Sequence, residues 1–404
     1  MSLAQREFLL QTFKIGLLWH SANSGNLGVG ALTIGNMVIV REVAESLGLS
    51  PEFTVFCLAD PGKSYIDGVR LSVLTARSML DPRAFATDVG RLDAMLDIGA
   101  GDSFTDIYPV KRFTWLVLTK AITLARRVPL VLSPQTIGPF IGETLPKRVL
   151  GRLASSIMRR ARAVVVRDDK SLAAVRALDP GISPIYSVDV AFALPWTQAA
   201  ARGGRTRIGL NISGLLWKGG YTGRNEFDLG YNYKELMTAL IEELLAQNDA
   251  DIELICHVNG QPGSADDDGA VADELARHYP ALVRVPDFAS PSEAKSYISG
   301  LDLLIAARMH ACIAAFSSGV PVIPVSYSRK FEGLFGSLGY TRLVPHKGMT
   351  TSQALQFIVG NLSQRAILKA EIGQGLTQVA TRLDAYRSVL RDLFGEIRAN
   401  RGNG

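Results

Sequence analysis

Arg308 and His310 stand two positions apart, directly after the apolar run Leu303–Ala306 and at the opening of a helical stretch. A guanidinium in that place can grip a phosphate or carboxylate through two parallel hydrogen bonds. An imidazole beside it can transfer a proton near neutral pH. A plainer arrangement, an arginine capping the helix next to a buried histidine, uses the same two residues. Tyr327 and Lys330 follow the next apolar run, Val320–Val325, and are expected to add a phosphate contact. Nearer the N-terminus, the run from Ser21 to Gly30 is a glycine-rich turn between a strand and a helix. Such turns bring backbone N–H groups close to an anion, or serve packing alone. Gly28-Val29-Gly30 does not extend to GxGxxG, because Thr33 stands where the third glycine belongs, and no Walker lysine follows. In Gly99-Ala100-Gly101-Asp102, a carboxylate at a strand end suits a sugar hydroxyl or general-base work. Asp102 could equally cap the next helix.

Other chemistries are poorly served. His20, His257, His278 and His346 are scattered without HxxxH or Cys–His spacing, so no metal site is expected. A GxSxG elbow is missing, which argues against a serine hydrolase. The three cysteines, Cys57, Cys256 and Cys312, are far apart and odd in number, which argues against a disulfide scaffold and for a reducing, cytoplasmic setting. Met1–Arg6 is polar and Ile15–Trp19 is too short for a secretory signal; no run approaches 18 apolar residues, so no bilayer span is expected.

The net charge of +5 is unevenly spread. Residues 111–176 carry 14 Lys and Arg against Glu143, Asp168 and Asp169. Positive potential of this kind attracts phosphorylated metabolites or anionic lipid; it is also what a solvated helix face looks like. Nucleic acid is not an expected partner, because no aromatic interleaving or binding motif accompanies the charge.

The elements that must position these residues alternate. Strands at Lys14–Trp19, Phe53–Leu58, Ala94–Ile98, Pro129–Ser133, Ala163–Val166 and Ile185–Val188 are separated by helical patterns, including Ala31–Leu47, Phe113–Arg127, Lys147–Arg162 and Ser171–Leu178. After the small and basic stretch from Pro195 the alternation restarts at Ile208–Ile212 and runs through Tyr233–Gln247, Ile252–Val258, Val271–Tyr279, Leu282–Val285, Ser292–Gly300, Leu303–Ala306 and Ala311–Ser318 to Val320–Val325. Alternation implies βαβ units and mostly parallel sheets. The expected fold is α/β, two doubly wound Rossmann-like domains facing across a cleft: 1–195, a linker at 196–207, 208–362, and a helical tail at 363–404. Ligands of such sheets sit beyond the carboxyl ends of the strands.

Taken together, these loops resemble the polysaccharide pyruvyl transferase family. The resemblance rests on Gly25-Asn26-Leu27-Gly28, Gly99-Ala100-Gly101 before Asp102, and the run Pro134-Gln135-Thr136-Ile137-Gly138-Pro139. Val166-Arg167-Asp168 with Ser171, Asp189-Val190-Ala191-Phe192, Arg308-Met309-His310, Gly319-Val320-Pro321, and Tyr327 with Lys330 continue it in order. The chain departs from the family pattern at Val29, where an aspartate is usual, and at Ala100, where a third glycine is usual. The resemblance implies a GT-B-like fold and transfer of pyruvate from phosphoenolpyruvate to a saccharide as a cyclic ketal, in cell-surface polysaccharide biosynthesis, with no metal and no cofactor besides that co-substrate. It implies His310 as the acid, Arg308 with Lys330, Tyr327 and Arg167 around the donor, and Asp102 or Asp189 taking the hydroxyl proton. Asn26, Gly28, Asp102, Gln135 and Asp189 would meet the acceptor on the N-terminal domain. With a lipid-linked rather than nucleotide-linked acceptor, the basic helix Lys147–Arg162 would rest on anionic headgroups at the inner face of the membrane. The alternatives are a glycosyltransferase of the same shape using a sugar nucleotide, and a non-catalytic saccharide-binding member.

Overall fold

The computed structural model describes residues 11–60, 62–81, 83–200, 203–260 and 264–402. Met1–Arg6, Pro61 and residues 201–202 of the expected linker lie outside the described residues. The chain forms two compact units. The first comprises residues 1–24, 32–193 and 380–404, and the second residues 25–31 and 194–379.

Among the described residues the first unit holds seven parallel strands: β1 (Gln11–Leu18), β2 (Leu49–Cys57), β3 (Arg70–Val73), β4 (Ala94–Asp97), β5 (Leu130–Gln135), β6 (Ala163–Val166) and β7 (Ile185–Tyr186), in the order β3-β2-β1-β4-β5-β6-β7. Every residue of β4 and β5 is buried, as expected where helices cover both faces of a parallel sheet. Pro134 has no N–H to give the ladder, and the β5–β6 register shifts between Leu132 and Gln135. Lys120 and Asp97 form a fully buried ion pair at 2.9 Å.

The second unit holds β8 (Thr206–Asn211), β9 (Ala250–Leu254), β10 (Val283–Arg284), β11 (Leu303–Ala306) and β12 (Val322–Pro324), all parallel, in the order β10-β9-β8-β11-β12. Both orders are doubly wound. The winding reverses between β1 and β4 in one sheet and between β8 and β11 in the other, so the loops after those four strands flank the two crevices where such sheets bind ligands.

Three domain expectations change. The stretch expected as a linker is tied to the second unit: Thr197 N–H donates to Ser296 Oγ, Ala199 N–H to Ser299 Oγ, and Arg207 is a buried strand residue paired with Glu253 at 2.6 Å. The tail is one helix, Arg365–Gly402, whose last part belongs to the first unit. Residues 25–31, expected in the N-terminal domain, belong to the second unit. Helix Leu27–Ser46 is long and apolar enough to cross a bilayer, with a mean hydropathy of 1.4 over 18 residues, but 72% of that window is buried within the protein, as in a core helix.

Candidate functional site

In the second unit, Arg308 ends the loop after β11 and occupies the N-cap of helix Met309–Ser317 without capping it through its side chain. Its backbone N–H donates to Asn211 Oδ1 at 3.0 Å, which ties the end of β11 to the end of β8 across the sheet's switch point. The guanidinium turns instead to two carboxylates. Nη2 lies 2.6 Å from Asp268 Oδ1 and 2.5 Å from Asp266 Oδ1, and Nε donates to Asp268 at 3.1 Å. Arg308 is only 8% exposed. Burial opposes its charge, but Asp268 and Asp266 outweigh burial and hold its pKa above the ordinary arginine value. A fixed cation results.

Asp268 organises this corner. It opens helix Asp268–His278 and accepts from Gly214 N–H, His257 N–H and Val258 N–H, from the Asn211 amide and from Arg308. The His257 ring is fully buried; desolvation first, then the nearby His310, brings its pKa down to about 3, so it is neutral.

His310 sits on the first turn of the Arg308 helix, and the glycine motif from the N-terminal part of the chain lies against it. Residues 25–31 are stitched to the loop after β9: Asn26 bridges Val258, Leu27 N–H donates to the His257 carbonyl at 3.1 Å, and Asn259 N–H donates to Gly25 O at 2.9 Å. This brings Gly28 so close to His310 that a Cβ there would lie 2.4 Å from Nδ1 and 2.7 Å from Cγ. Gly25 is equally constrained: a Cβ there would lie 2.4 Å from the Asn259 carbonyl oxygen. The two glycines are required by contact with the imidazole and its supporting loop. Asn26 and Gly28, expected on the acceptor side of the N-terminal domain, therefore stand beside His310 and His257.

Tyr327 lies edge-on to Phe227 and Phe331, with ring centroids 5.1 and 5.3 Å away. With Phe227, Asp228, Ser328, His346 and Lys347 it lines a cavity of about 570 Å³. Lys330 is half-buried in helix Arg329–Ser337. A further cavity of about 930 Å³, lined by Trp217, Lys234, Thr238 and Glu242 among others, includes neither Arg308 nor His310.

The remaining candidates are in the first unit. Arg167 is buried, donating to Thr136 Oγ1 at 3.0 Å and pairing with fully buried Asp189 at 2.5 Å; Thr136 in turn bonds Asp168, which caps helix Asp169–Leu178. Gln135 is buried and donates to Asp97. Within this unit, then, Arg167, Asp189 and Gln135 are knit into internal polar bonding. Asp102 is partly exposed and accepts from Tyr108 at 3.2 Å. It caps no following helix, since the next begins at Val110 with Pro109 in the cap. Before it, Gly99, Ala100 and Gly101 all have positive φ (53°, 52° and 88°), so the chain turns in a left-handed conformation that costs alanine more than glycine.

Asp266, Asp268, Asn211 and His257 were not singled out from sequence as site residues. The run Asp266-Asp267-Asp268-Gly269 at a helix start was the available signal for the first two. His20, which had no evident partner, is buried: its Nδ1–H donates to the Leu18 carbonyl and its Nε2 accepts from Asn36 at 3.0 Å, so it is neutral, with a pKa lowered by burial to about 3. Cys57, Cys256 and Cys312 are buried and form no disulfide. Among the described residues no His, Cys, Asp and Glu cluster has the makings of a metal site.

The family model for polysaccharide pyruvyl transferase matches residues 41–329, most of the chain. The chain belongs to the polysaccharide pyruvyl transferase family. Curated protein sequences provide no match. Among solved structures, this pyruvyl transferase family member is similar to UDP-GlcNAc 2-epimerase from Neisseria meningitidis bound to UDP-GlcNAc, at TM-score 0.54 and 10% identity, over 94% of this chain and 99% of that one. It is also similar to UDP-GlcNAc 2-epimerase from Methanocaldococcus jannaschii, at TM-score 0.53 and 8% identity, over 86% and 92%. At such identities the likeness is one of fold; it agrees with the two parallel-sheet domains expected from the alternating elements and with the GT-B-like fold that the family resemblance implies.

Proposed function

We propose that this family member transfers the pyruvyl group of phosphoenolpyruvate to two hydroxyls of a saccharide, in the assembly of a cell-surface polysaccharide on the cytoplasmic side. The observation that supports this reading is a buried, carboxylate-fixed guanidinium two residues from an imidazole at the switch point of the second sheet. Phosphoenolpyruvate is a small dianion or trianion, and Arg308 meets its phosphate or carboxylate without the reorganisation that a mobile lysine needs. Lys330 and Tyr327 are assigned to the same donor.

His310 delivers a proton to the methylene carbon of phosphoenolpyruvate, and C2 becomes electrophilic. A sugar hydroxyl adds to C2 as its proton passes to a general base. The C2–O bond to phosphate then breaks, inorganic phosphate leaves, and the second hydroxyl closes the ketal. The sum is phosphoenolpyruvate plus a diol giving a pyruvate ketal plus phosphate, with no redox change and no resident cofactor.

The test is donor-dependent release. Purified protein with phosphoenolpyruvate and a saccharide panel, nucleotide-linked and lipid-linked, should release inorganic phosphate. Arg308→Lys and His310→Gln should lower that rate by at least about 100-fold. Release of a nucleoside diphosphate from a sugar nucleotide would instead make the protein a glycosyltransferase. Turnover untouched by His310→Gln would remove the assigned acid.

A further inference from the structure

The basic segment of the first unit becomes a specific surface once its exposure is known. Helix Leu145–Arg160 buries Lys147, Gly151, Ala154, Ile157 and Met158 and contains no acidic residue. On its other face, Leu145, Val149 and Leu153 are 72%, 46% and 48% exposed. At spacing i, i+4, i+8 they form one stripe, about 12 Å long. Ile141, in the loop four residues before Leu145, is 58% exposed. Arg148, Arg152 and Arg160 are exposed on the same helix, and among the described residues none is paired with a carboxylate; Arg159 is taken by Asp179, and the nearby Glu143 by Lys147.

A helix face turned to water normally carries polar residues. Three large aliphatics on successive turns, flanked by arginines, match a surface that is apolar within and anionic at its rim. We infer that this helix is the docking face for an anionic phospholipid bilayer: Leu145, Val149 and Leu153 enter the headgroup boundary, and Arg148 and Arg152 lie among lipid phosphates. A second copy of this chain is the poorer occupant, because pairing the helix with itself sets arginine against arginine. Nucleic acid would leave the aliphatic stripe unmatched. The inference does not depend on which donor the site uses.

Vesicle co-sedimentation tests it, with phosphatidylcholine alone and with phosphatidylcholine containing phosphatidylglycerol. The wild-type chain should pellet with the anionic vesicles and not with the neutral ones. Each arginine near such a surface is worth a factor of roughly five in partition. R148E/R152E should therefore lower binding more than about tenfold, with the melting temperature kept. L145S/V149S/L153S should weaken binding while its salt dependence remains, and R277E, on a helix of the second unit, should bind like wild type. Equal pelleting of all variants, no pelleting of wild type with anionic vesicles, or a concentration-dependent mass change abolished by the same substitutions without any lipid binding would overturn the inference.

Discussion

Gly28→Ala is the most demanding test of the site, because it adds a single methyl group to a motif that the sequence leaves open between ligand contact and packing. The new Cβ would lie 2.4 Å from His310 Nδ1 and 2.7 Å from Cγ. Ordinary carbon contacts need about 3.5 Å, so the imidazole and the glycine segment must separate by roughly 1 Å. The segment has little freedom to do so, since Leu27 N–H and Gly25 O are bonded to His257 and Asn259. Overpacking of this kind costs about 1–3 kcal/mol. Gly28 also lies in the first turn of helix Leu27–Ser46, where alanine regains up to about 1 kcal/mol of helix propensity. The net loss of stability is therefore about 0–3 kcal/mol, while a proton donor displaced by 1 Å loses about 100-fold in rate. Phosphate release under saturating phosphoenolpyruvate should show kcat reduced about 100-fold, KM for the donor changed little, and the melting temperature lowered by a few degrees at most. A variant with wild-type kcat would refute the argument that His310 needs this packing to act.

The other expectations concern the supports of the site and the core. Asp268→Ala removes the acceptor of Arg308 and of three backbone N–H groups; it should cost about 3–5 kcal/mol in urea unfolding, and Asp268→Asn clearly less. Lys120→Met leaves Asp97 buried without its cation and should destabilise by a similar amount, a reading that unchanged urea midpoints would end. Ala100→Gly relieves a left-handed alanine at φ 52° and should be neutral or stabilising by up to about 1 kcal/mol; a loss above 1 kcal/mol would contradict it. Lys295, whose only described hydrogen-bond acceptor is the Leu194 carbonyl at 2.8 Å, has its pKa lowered by burial to about 7, against 10.5 for the free side chain. Between those values the unfolded chain binds more protons, so stability rises with pH from about 7 to about 10. In calorimetry the wild type should gain on Lys295→Met across that window, and parallel pH profiles would disprove the assignment.

Much of the fold was legible because parallel sheets bury both faces of their strands and so leave apolar runs at regular intervals. Ala163–Val166, Tyr233–Gln247 and Leu303–Ala306 fall where the pattern puts them. The misses have physical reasons. Strand Arg70–Val73 is an edge strand in which Arg70 and Ser72 alternate with exposed Leu71 and Val73, so it shows no continuous apolar run. Helix Leu27–Ser46 starts before Ala31 although Gly28 and Gly30 normally discourage a helix; Gly28 is held there by its contact with His310.

Sequence alone determined the α/β class and the family, and made Arg308 and His310 candidates, because local periodicity and ordered motifs at strand ends are written along the chain. It could not decide that Gly28 belongs to the histidine's surroundings, that Asp266 and Asp268 fix the arginine, or that Arg167 and Asp189 pair with each other. Those outcomes depend on which distant segments the fold brings within a few ångströms. Between Gly28 and His310, or Asp268 and Arg308, no periodicity spans the intervening chain; only the packed tertiary structure sets the distance and decides which charges are out of water.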